Sequence, residues 1–380
     1  MDYYNDAMQR YRELRRRGRL KNEKGAKAAY HWLRSAVYGK VIPSAIVAFI
    51  VRLTDTGANR AELQRIIKAY APAENLSNGR WLRKTKRDIY FTKFYNWIDA
   101  DEYFRYQFED LSRAGRWLYI GDAEFGERCR LIDDAEEVNI TKDKYNSYRA
   151  FQPYYKREAL LVSGGEDEAA FSGFCSRHPE FFVKPLSERG GHGVQRIKLN
   201  PADRPEDVLK QLLDKYGSAI VEQPIIQAEE MAKYHPNSIN TVRVVTMYRQ
   251  DGSMEVIQTS VRLGTGDSVV DNGCLSSSVD TETGIITSPG RAAHEKGVYL
   301  RHPDTGVQIL GNRIPAWEEL MEQVREQAAV FKKQRFIGWD MAYSTDGWVI
   351  VEVNSHPALQ TLSGKGVGAR ALCDRVFNCD

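Results

Sequence analysis

Apolar positions recur along this chain in two rhythms, with the change near residue 136. Before it, short runs at helical spacing, YRELRRRGRL, AKAAYHWLRSAVYG and ANRAELQRIIKAYA, are split by glycine and proline. Val41–Val51 is an apolar run, VIPSAIVAFIV, between Lys40 and Arg52. A bilayer crossing needs about 20 such residues. The run therefore predicts a buried helix, with an interfacial helix as the alternative, because the segment before it is basic. Residues 81–135 are rich in aromatics and hold no motif tied to a chemistry.

After residue 136 the pattern mixes strands and helices. Phe181–Val183 reads as a strand, and Val194–Leu199 as its return after a glycine-rich turn. Pro205–Tyr216 reads as a helix capped by Asp203, and Ala219–Glu222 as a further strand. Thr241–Tyr248 and Glu255–Leu263 form a hairpin through Gln250-Asp251-Gly252. Trp317, Leu320, Met321, Val324, Ala328 and Phe331 fall on one helical face. Phe336–Tyr343 and Trp348–Val353 are strands around Thr345-Asp346-Gly347. Sheets with flanking helices place the chain in the α+β class.

Composition narrows the function. Hydrophobic residues are 42% and charged residues 28% of the 380, as in a soluble globular protein and not a disordered one. The net charge of +3 gives no electrostatic footprint for nucleic acid. Charge is uneven, with basic stretches at Arg10–Lys24 and Arg80–Arg87, so peripheral membrane contact through basic N-terminal helices is an expectation. The five cysteines form no CxxC pair and no zinc spacing, and the first residues do not read as a signal peptide. A reducing, cytoplasmic setting follows.

Four segments hold candidate chemistry. In FVKPLSERGGHGV, a strand ends in Lys184 and a loop with Gly190, Gly191, His192 and Gly193 follows. Glycines let backbone N–H groups approach phosphate and lysine adds a point charge, although a plain mobile loop has the same composition. In FIGWDMAYSTDGWVIVEVNSHP, Asp340, Glu352 and Asn354 are hard oxygen donors on adjoining strands. Two carboxylates and an amide suit Mg²⁺, which keeps waters and phosphates as further ligands. Solvent-facing alternation is the bland alternative, but Val349, Ile350, Val351 and Val353 mark a buried strand, where an unpaired carboxylate is costly. In IVEQPIIQAEEM, Pro224 ends a strand, leaving Glu222, Gln223 and Ile225 at a hinge that could meet an adenine edge. Arg243 and Arg262 lie on strands and suit a carboxylate or phosphate, with Asp271 and Asn272 after them. Each arginine alone is more often half of a structural ion pair.

The order of these segments resembles the ATP-grasp superfamily over roughly residues 136–365. SINTVRVVT, VRLG, the DNGC stretch and EVNSHP are similar to its sugar-transfer-associated subgroup. The resemblance implies two α/β lobes preceded by a largely helical region, divided as 1–135, 136–223 and 224–380. It implies ATP and Mg²⁺ as cofactors. Lys144 in TKDKYNSYRAF and Lys184 match the family's phosphate-contacting lysines, Glu222 its adenine-side carboxylate, and Asp340, Glu352 and Asn354 its metal ligands. Many members carry an arginine two residues before the first metal carboxylate; here that position is Gly338, so Arg243 or Arg262 must supply the charge.

The activity so implied is an ATP-dependent carboxylate–amine ligase acting through an acylphosphate on small-molecule substrates, an amino acid, peptide or saccharide of cell-surface polysaccharide assembly. A kinase acting on a hydroxyl and a non-catalytic nucleotide-binding regulator are the alternatives. The metal set also makes a geometric demand. Opposed residues point to one face, so Asp340 must oppose Glu352. That requires a three-residue loop with Gly347 left-handed, or a β-bulge.

Overall fold

The structure is a computed structural model and describes residues 46, 49, 51–52, 57–186, 193–249, 251–267, 274–292, 297–357 and 368–378. By internal contacts the chain divides into two compact units, Met1–Phe125 with Ser363–Cys379, and Gly126–Leu362.

The described part of the first unit is helical. It contains α1 (Gly57–Tyr70), α2 (Gly79–Asn96), α3 (Ala100–Arg105) and the C-terminal helix Arg370–Asn378. The Asn78 side chain accepts from the N–H groups of Arg80 and Trp81 and so starts α2; left-handed Trp97 (φ 57°) ends it. Ile89 of α2 packs with Leu63, Ile67, Tyr103 and Phe108. On the opposite side Arg80, Arg83, Lys84 and Arg87 are exposed at helical spacing. Arg370 donates to the carbonyls of Trp117 and Tyr119 and pairs with Glu124 at 3.0 Å. Of the apolar run at 41–51, three side chains are described: Val51 is buried against Phe91, Phe94 and Tyr95, whereas Ile46 and Phe49 are exposed. Most of that run lies outside the described residues.

The second unit begins with further helices, so helix continues past residue 135: Ala135–Lys142, α4 (Lys144–Ala150) and Gln152–Tyr155. A four-stranded sheet follows, ordered β1-β4-β2-β3, from β1 (Ala159–Val162), β2 (Glu180–Pro185), β3 (Gln195–Lys198) and β4 (Ala219–Glu222). Sequence reasoning missed β1, whose four residues ALLV fit a strand or a buried helix turn equally. Helices α5 (Glu168–Arg177) and α6 (Pro205–Tyr216) bury Phe171, Phe174, Leu209 and Leu212 against Phe181, Val183 and Val221 of the sheet. The N-cap of α6 is Arg204, without a side-chain bond. Asp203 instead accepts from the Asn200 N–H at 2.7 Å, and Pro205 pre-sets the first turn.

A seven-stranded antiparallel sheet comes next, ordered β11-β10-β5-β6-β7-β8-β9. Its strands are β5 (Thr241–Tyr248), β6 (Met254–Leu263), β7 (Leu275–Val279), β8 (Gly290–Ala292), β9 (Val298–Tyr299), β10 (Phe336–Ser344) and β11 (Gly347–Ser355). One face is apolar: Val242, Val244, Val261, Leu263, Leu275, Trp339 and Met341 pack against Trp317, Leu320 and Val324 of α7 (Trp317–Ala328). The other face is polar, and the hairpin β10–β11 decides which of its residues lie there. It turns at Thr345-Asp346, with Ser344 opposite Gly347 and Met341 opposite Ile350. The register then shifts, and Asp340 opposes Glu352, leaving Val351 without an opposite residue. The offset required by the metal set is thus supplied by a bulge at Val351, not by a three-residue loop, although Gly347 is left-handed at φ 82°.

Candidate active site

The bulge sets the geometry. Ile350 and Val353 both reach the apolar core, which an unbroken strand could not do at odd spacing. Glu352 and Asn354 therefore share the polar face with Asp340. Arg243 also opposes Asp340, from β5, and joins the same face.

Asp340 is the centre of this group. Arg243 grips it with two bonds, Nε to Oδ1 at 2.7 Å and Nη2 to Oδ2 at 2.5 Å. Asn354 Nδ2 donates to Oδ2 at 3.0 Å. Burial drives the Asp340 carboxyl toward its neutral form, but the charges of Arg243 and Arg262 outweigh that and hold its pKa below the ordinary aspartate value. Glu352 is the counterpart. It accepts no hydrogen bond among the described residues. Burial, and then the neighbouring Asp340 charge, raise its pKa, against the pull of Lys184, Lys144 and Arg243. A carboxylate whose pKa is raised by burial and by a second carboxylate beside it is what a divalent cation would relieve. Among the described residues no group of three or more His, Cys, Asp or Glu is gathered. The donor set is therefore two carboxylates and one amide, which fits a Mg²⁺ that takes its remaining ligands from water and phosphate.

A second charged group faces the first. Lys184, at the end of β2, donates to Glu222 Oε2 at 2.9 Å, and Arg157 donates to the same atom through Nη2 at 2.7 Å and Nε at 3.1 Å. Burial alone would raise the Glu222 pKa; Lys184 and Arg157 reverse this and hold it at about 2. Arg157 also donates to the carbonyls of Ile350 at 2.5 Å and Val351 at 3.4 Å, on the bulged edge of β11. Its guanidinium lies 4.7 Å from the Tyr155 ring centroid. Lys144, in the first turn of α4, donates to the Pro185 carbonyl at 2.8 Å, at the mouth of the glycine-rich segment. Gly193 is left-handed at φ 75°, and Gly190, Gly191 and His192 lie outside the described residues.

The hinge residues divide in role. The Glu222 carboxylate is committed to Arg157 and Lys184. Gln223 pairs with the Glu158 backbone through its N–H at 2.9 Å and its Oε1 at 3.2 Å. The Ile226 carbonyl accepts from Thr345 N–H at 3.0 Å. The backbone N–H and C=O of half-buried Ile225 make no hydrogen bond among the described residues, which leaves a donor and an acceptor side by side. Arg262 opposes Thr241 on β6 and is half-buried; Asp271 and Asn272 lie outside the described residues.

The missing arginine before Asp340 has a steric cause. A Cβ at Gly338 would come within 2.5 Å of Pro357 Cβ. Arg243 supplies the guanidinium from the neighbouring strand instead. Arg157 was not foreseen: nothing in YYKREALLV marks it, and its partners lie 65 and 193 residues away.

Comparison with known proteins gives a family match and distant similarities to solved structures. The profile of the family described as sugar-transfer associated ATP-grasp matches residues 159–374. No curated protein matches the chain's sequence. Among solved structures the chain is similar to D-alanyl-alanine synthetase A from Vibrio cholerae, at 12% identity and TM-score 0.40, over 63% of this chain and 65% of that one. It is similar to the D-alanine-D-alanine ligase from Coxiella burnetii at 12% identity and TM-score 0.39, over 67% and 64%. It is also similar to N5-carboxyaminoimidazole synthetase from Staphylococcus aureus at 9% identity and TM-score 0.38, over 64% and 52%. The match thus spans between half and two thirds of the length of each of these structures.

The Glu222 cluster gives a stability test. Glu222→Gln leaves buried Arg157 and half-buried Lys184 without their counter-charge, a loss of roughly 3–5 kcal/mol. Because the folded-state pKa of about 2 lies below the ordinary 4.5, this contribution is complete above pH 4.5 and fades as pH falls toward 2. Urea unfolding of parent and variant should therefore show a gap at pH 7 that narrows below about pH 5. A gap that is absent at pH 7, or independent of pH, would refute the assignment.

Proposed function

Because the chain belongs to the sugar-transfer associated ATP-grasp family, we propose that it is an ATP-dependent carboxylate–amine ligase acting on small molecules of cell-surface polysaccharide assembly. The observation that carries this reading is Glu352, a largely buried carboxylate without a hydrogen-bond partner, aligned with Asp340 and Asn354 and faced by Lys144 and Lys184.

In the proposed reaction the adenine edge meets the Ile225 backbone. Lys144 and Lys184 balance charge on the phosphates, and Gly190, Gly191, His192 and Gly193 would bring backbone N–H groups to them. Glu352, Asp340 and Asn354 would hold Mg²⁺, which neutralises charge on the nucleotide during transfer. Arg243, whose Nη1 makes no hydrogen bond among the described residues, and Arg262 orient the substrate carboxylate. A carboxylate oxygen attacks the γ-phosphorus, the bond to the β-phosphate oxygen breaks, and ADP leaves. An amine then attacks the acyl carbon, phosphate departs with the C–O electrons, and the amine gives up a proton to form the amide. Each step needs charge balance and orientation from the protein, not a protein nucleophile.

One further partner follows from the surface. The exposed Arg80, Arg83, Lys84 and Arg87 of α2 suit an anionic lipid surface. No helix among the described residues is long and apolar enough to cross a membrane. We place the protein in the cytoplasm with peripheral attachment.

Three outcomes are expected. Mg-ATP with a carboxylate substrate and hydroxylamine should yield a hydroxamate with equal ADP and free phosphate; a phosphorylated product without free phosphate would replace the ligase with a kinase. Glu352→Ala should lose Mg-dependent ATP turnover by at least about 100-fold while keeping its unfolding transition; parental turnover would remove Glu352 from the metal set. On vesicles with anionic lipid the protein should float at low salt and sediment at high salt; flotation unchanged by salt, or none at low salt, would reject attachment through α2.

A further inference from the structure

The polar face of the large sheet continues past the atoms used above. Thr241 opposes Arg262, Arg262 opposes Ser276, and Ser276 opposes Arg291. Opposed residues share a face, so these four form one row across β5, β6, β7 and β8. Their neighbours Val242, Leu263, Leu275 and Ala292 all pack on the apolar core, which fixes the row on the other side. The row lies two residues along the strand from Arg243, about 7 Å. Arg291 stands two strands from Arg262, about 10 Å.

Three features of this row have no structural use. The Thr241 hydroxyl is buried, its residue 5% exposed, and has no hydrogen-bond partner. The Ser276 hydroxyl is likewise buried and unpartnered. The Arg291 side chain is exposed and enters no ion pair or hydrogen bond among the described residues. Ser260, one row nearer Asp340 and fully buried, adds a third unpartnered hydroxyl. Buried hydroxyls are ordinarily satisfied. Three unsatisfied ones beside two arginines describe a surface waiting for a ligand with oxygen acceptors and hydroxyls of its own.

We propose that Thr241, Arg262, Ser276 and Arg291 form an acceptor subsite for a saccharide acid that bears a second anionic group, a carboxylate or a phosphate, beyond the carboxylate that reacts. This rests on the ligase reading for the identity of the reacting end. Arg291 takes the second anion, Ser276 and Thr241 take sugar hydroxyls, and Arg262 lies between the two charged ends. A neutral or singly charged acceptor would leave Arg291 unused.

Binding without turnover tests this independently of the ligase chemistry. With Mg²⁺ and a non-hydrolysable ATP analogue saturating, calorimetry compares glucuronate, glucarate and glucuronate 1-phosphate, with glucose as the neutral control. At least one of the two doubly acidic probes should bind about tenfold tighter than glucuronate. Which one does so tells carboxylate from phosphate. Arg291→Ala should erase that preference while leaving glucuronate and the ATP analogue unaffected, and Ser276→Ala should weaken all three sugar acids several-fold. Arg87→Ala, on α2, should change nothing and so controls for loss of general positive charge. Equal binding of singly and doubly acidic probes, or a preference that survives Arg291→Ala, overturns the proposal. Weakened binding of the ATP analogue in Arg291→Ala overturns it in favour of a nucleotide contact. A failed hydroxylamine trap would end the ligase reading but leave these binding results in force.

Discussion

One extra residue in one strand organises this molecule. Val351 stands unopposed in the β10–β11 ladder, and its presence moves Glu352 and Asn354 onto the face that carries Asp340. Were Val351 instead paired in a regular ladder, the side chains beyond it would keep the other phase, and the Glu352 carboxylate would enter the packing around Trp339 and Met341. That is a cost of several kcal/mol for an unpaired charge. The apolar residues hold the bulge in place: Trp348 and Ile350 on one side of it and Val353 on the other all reach the same core. Hydrophobic burial thus fixes the position of the charged set, and the chemistry inherits its precision from packing.

The bulge has a second consequence at the sheet edge. β11 is an outer strand, with carbonyls to spare along its free side. Arg157 donates to two of them and to Glu222, so one guanidinium ties β4 to the edge of β11. Lys184 shares the Glu222 carboxylate. The two sheets are therefore joined by charge-assisted bonds at the place where the candidate phosphate lysine stands. Such a joint orders Lys184 while pairing the buried charges of Glu222 and Arg157, which a purely apolar seam could not do.

What the sequence disclosed follows from how local each signal is. Asp340, Glu352 and Asn354 were legible because acidic and amide residues stand out inside runs such as VIVEVN, where burial makes them expensive. The demand for an irregular register was legible too, since opposed faces obey a parity rule; which of two devices would supply it was not, because loop and bulge differ by packing around Ile350 and Val353. The α+β class followed from alternation of periods. Arg157 was invisible, being an ordinary arginine whose partners are remote in sequence. The role of Glu222 was hidden for the same reason, since its neighbours β2 and β1 are joined to β4 only in the folded sheet. The short β1 lacked the length that separates a strand from a helical turn.

Gly338 shows how backbone space and charge placement trade against each other. Where the ATP-grasp resemblance leads to an arginine two residues before Asp340, this chain has Gly338, with Pro357 against the backbone and no room for a side chain. The positive charge comes instead from across the ladder, at Arg243. A residue directly opposed lies closer than one two positions along, about 5 Å against about 7 Å, so the guanidinium meets Asp340 in a two-bond fork instead of reaching past it. The fork keeps Asp340 ionised despite burial, while Glu352, lacking any such partner, keeps its proton more readily. Two carboxylates on one face, with pKa values pushed in opposite directions by their different partners, make the site asymmetric before any ligand arrives: Asp340 is held in a fork, and Glu352 has no partner of its own.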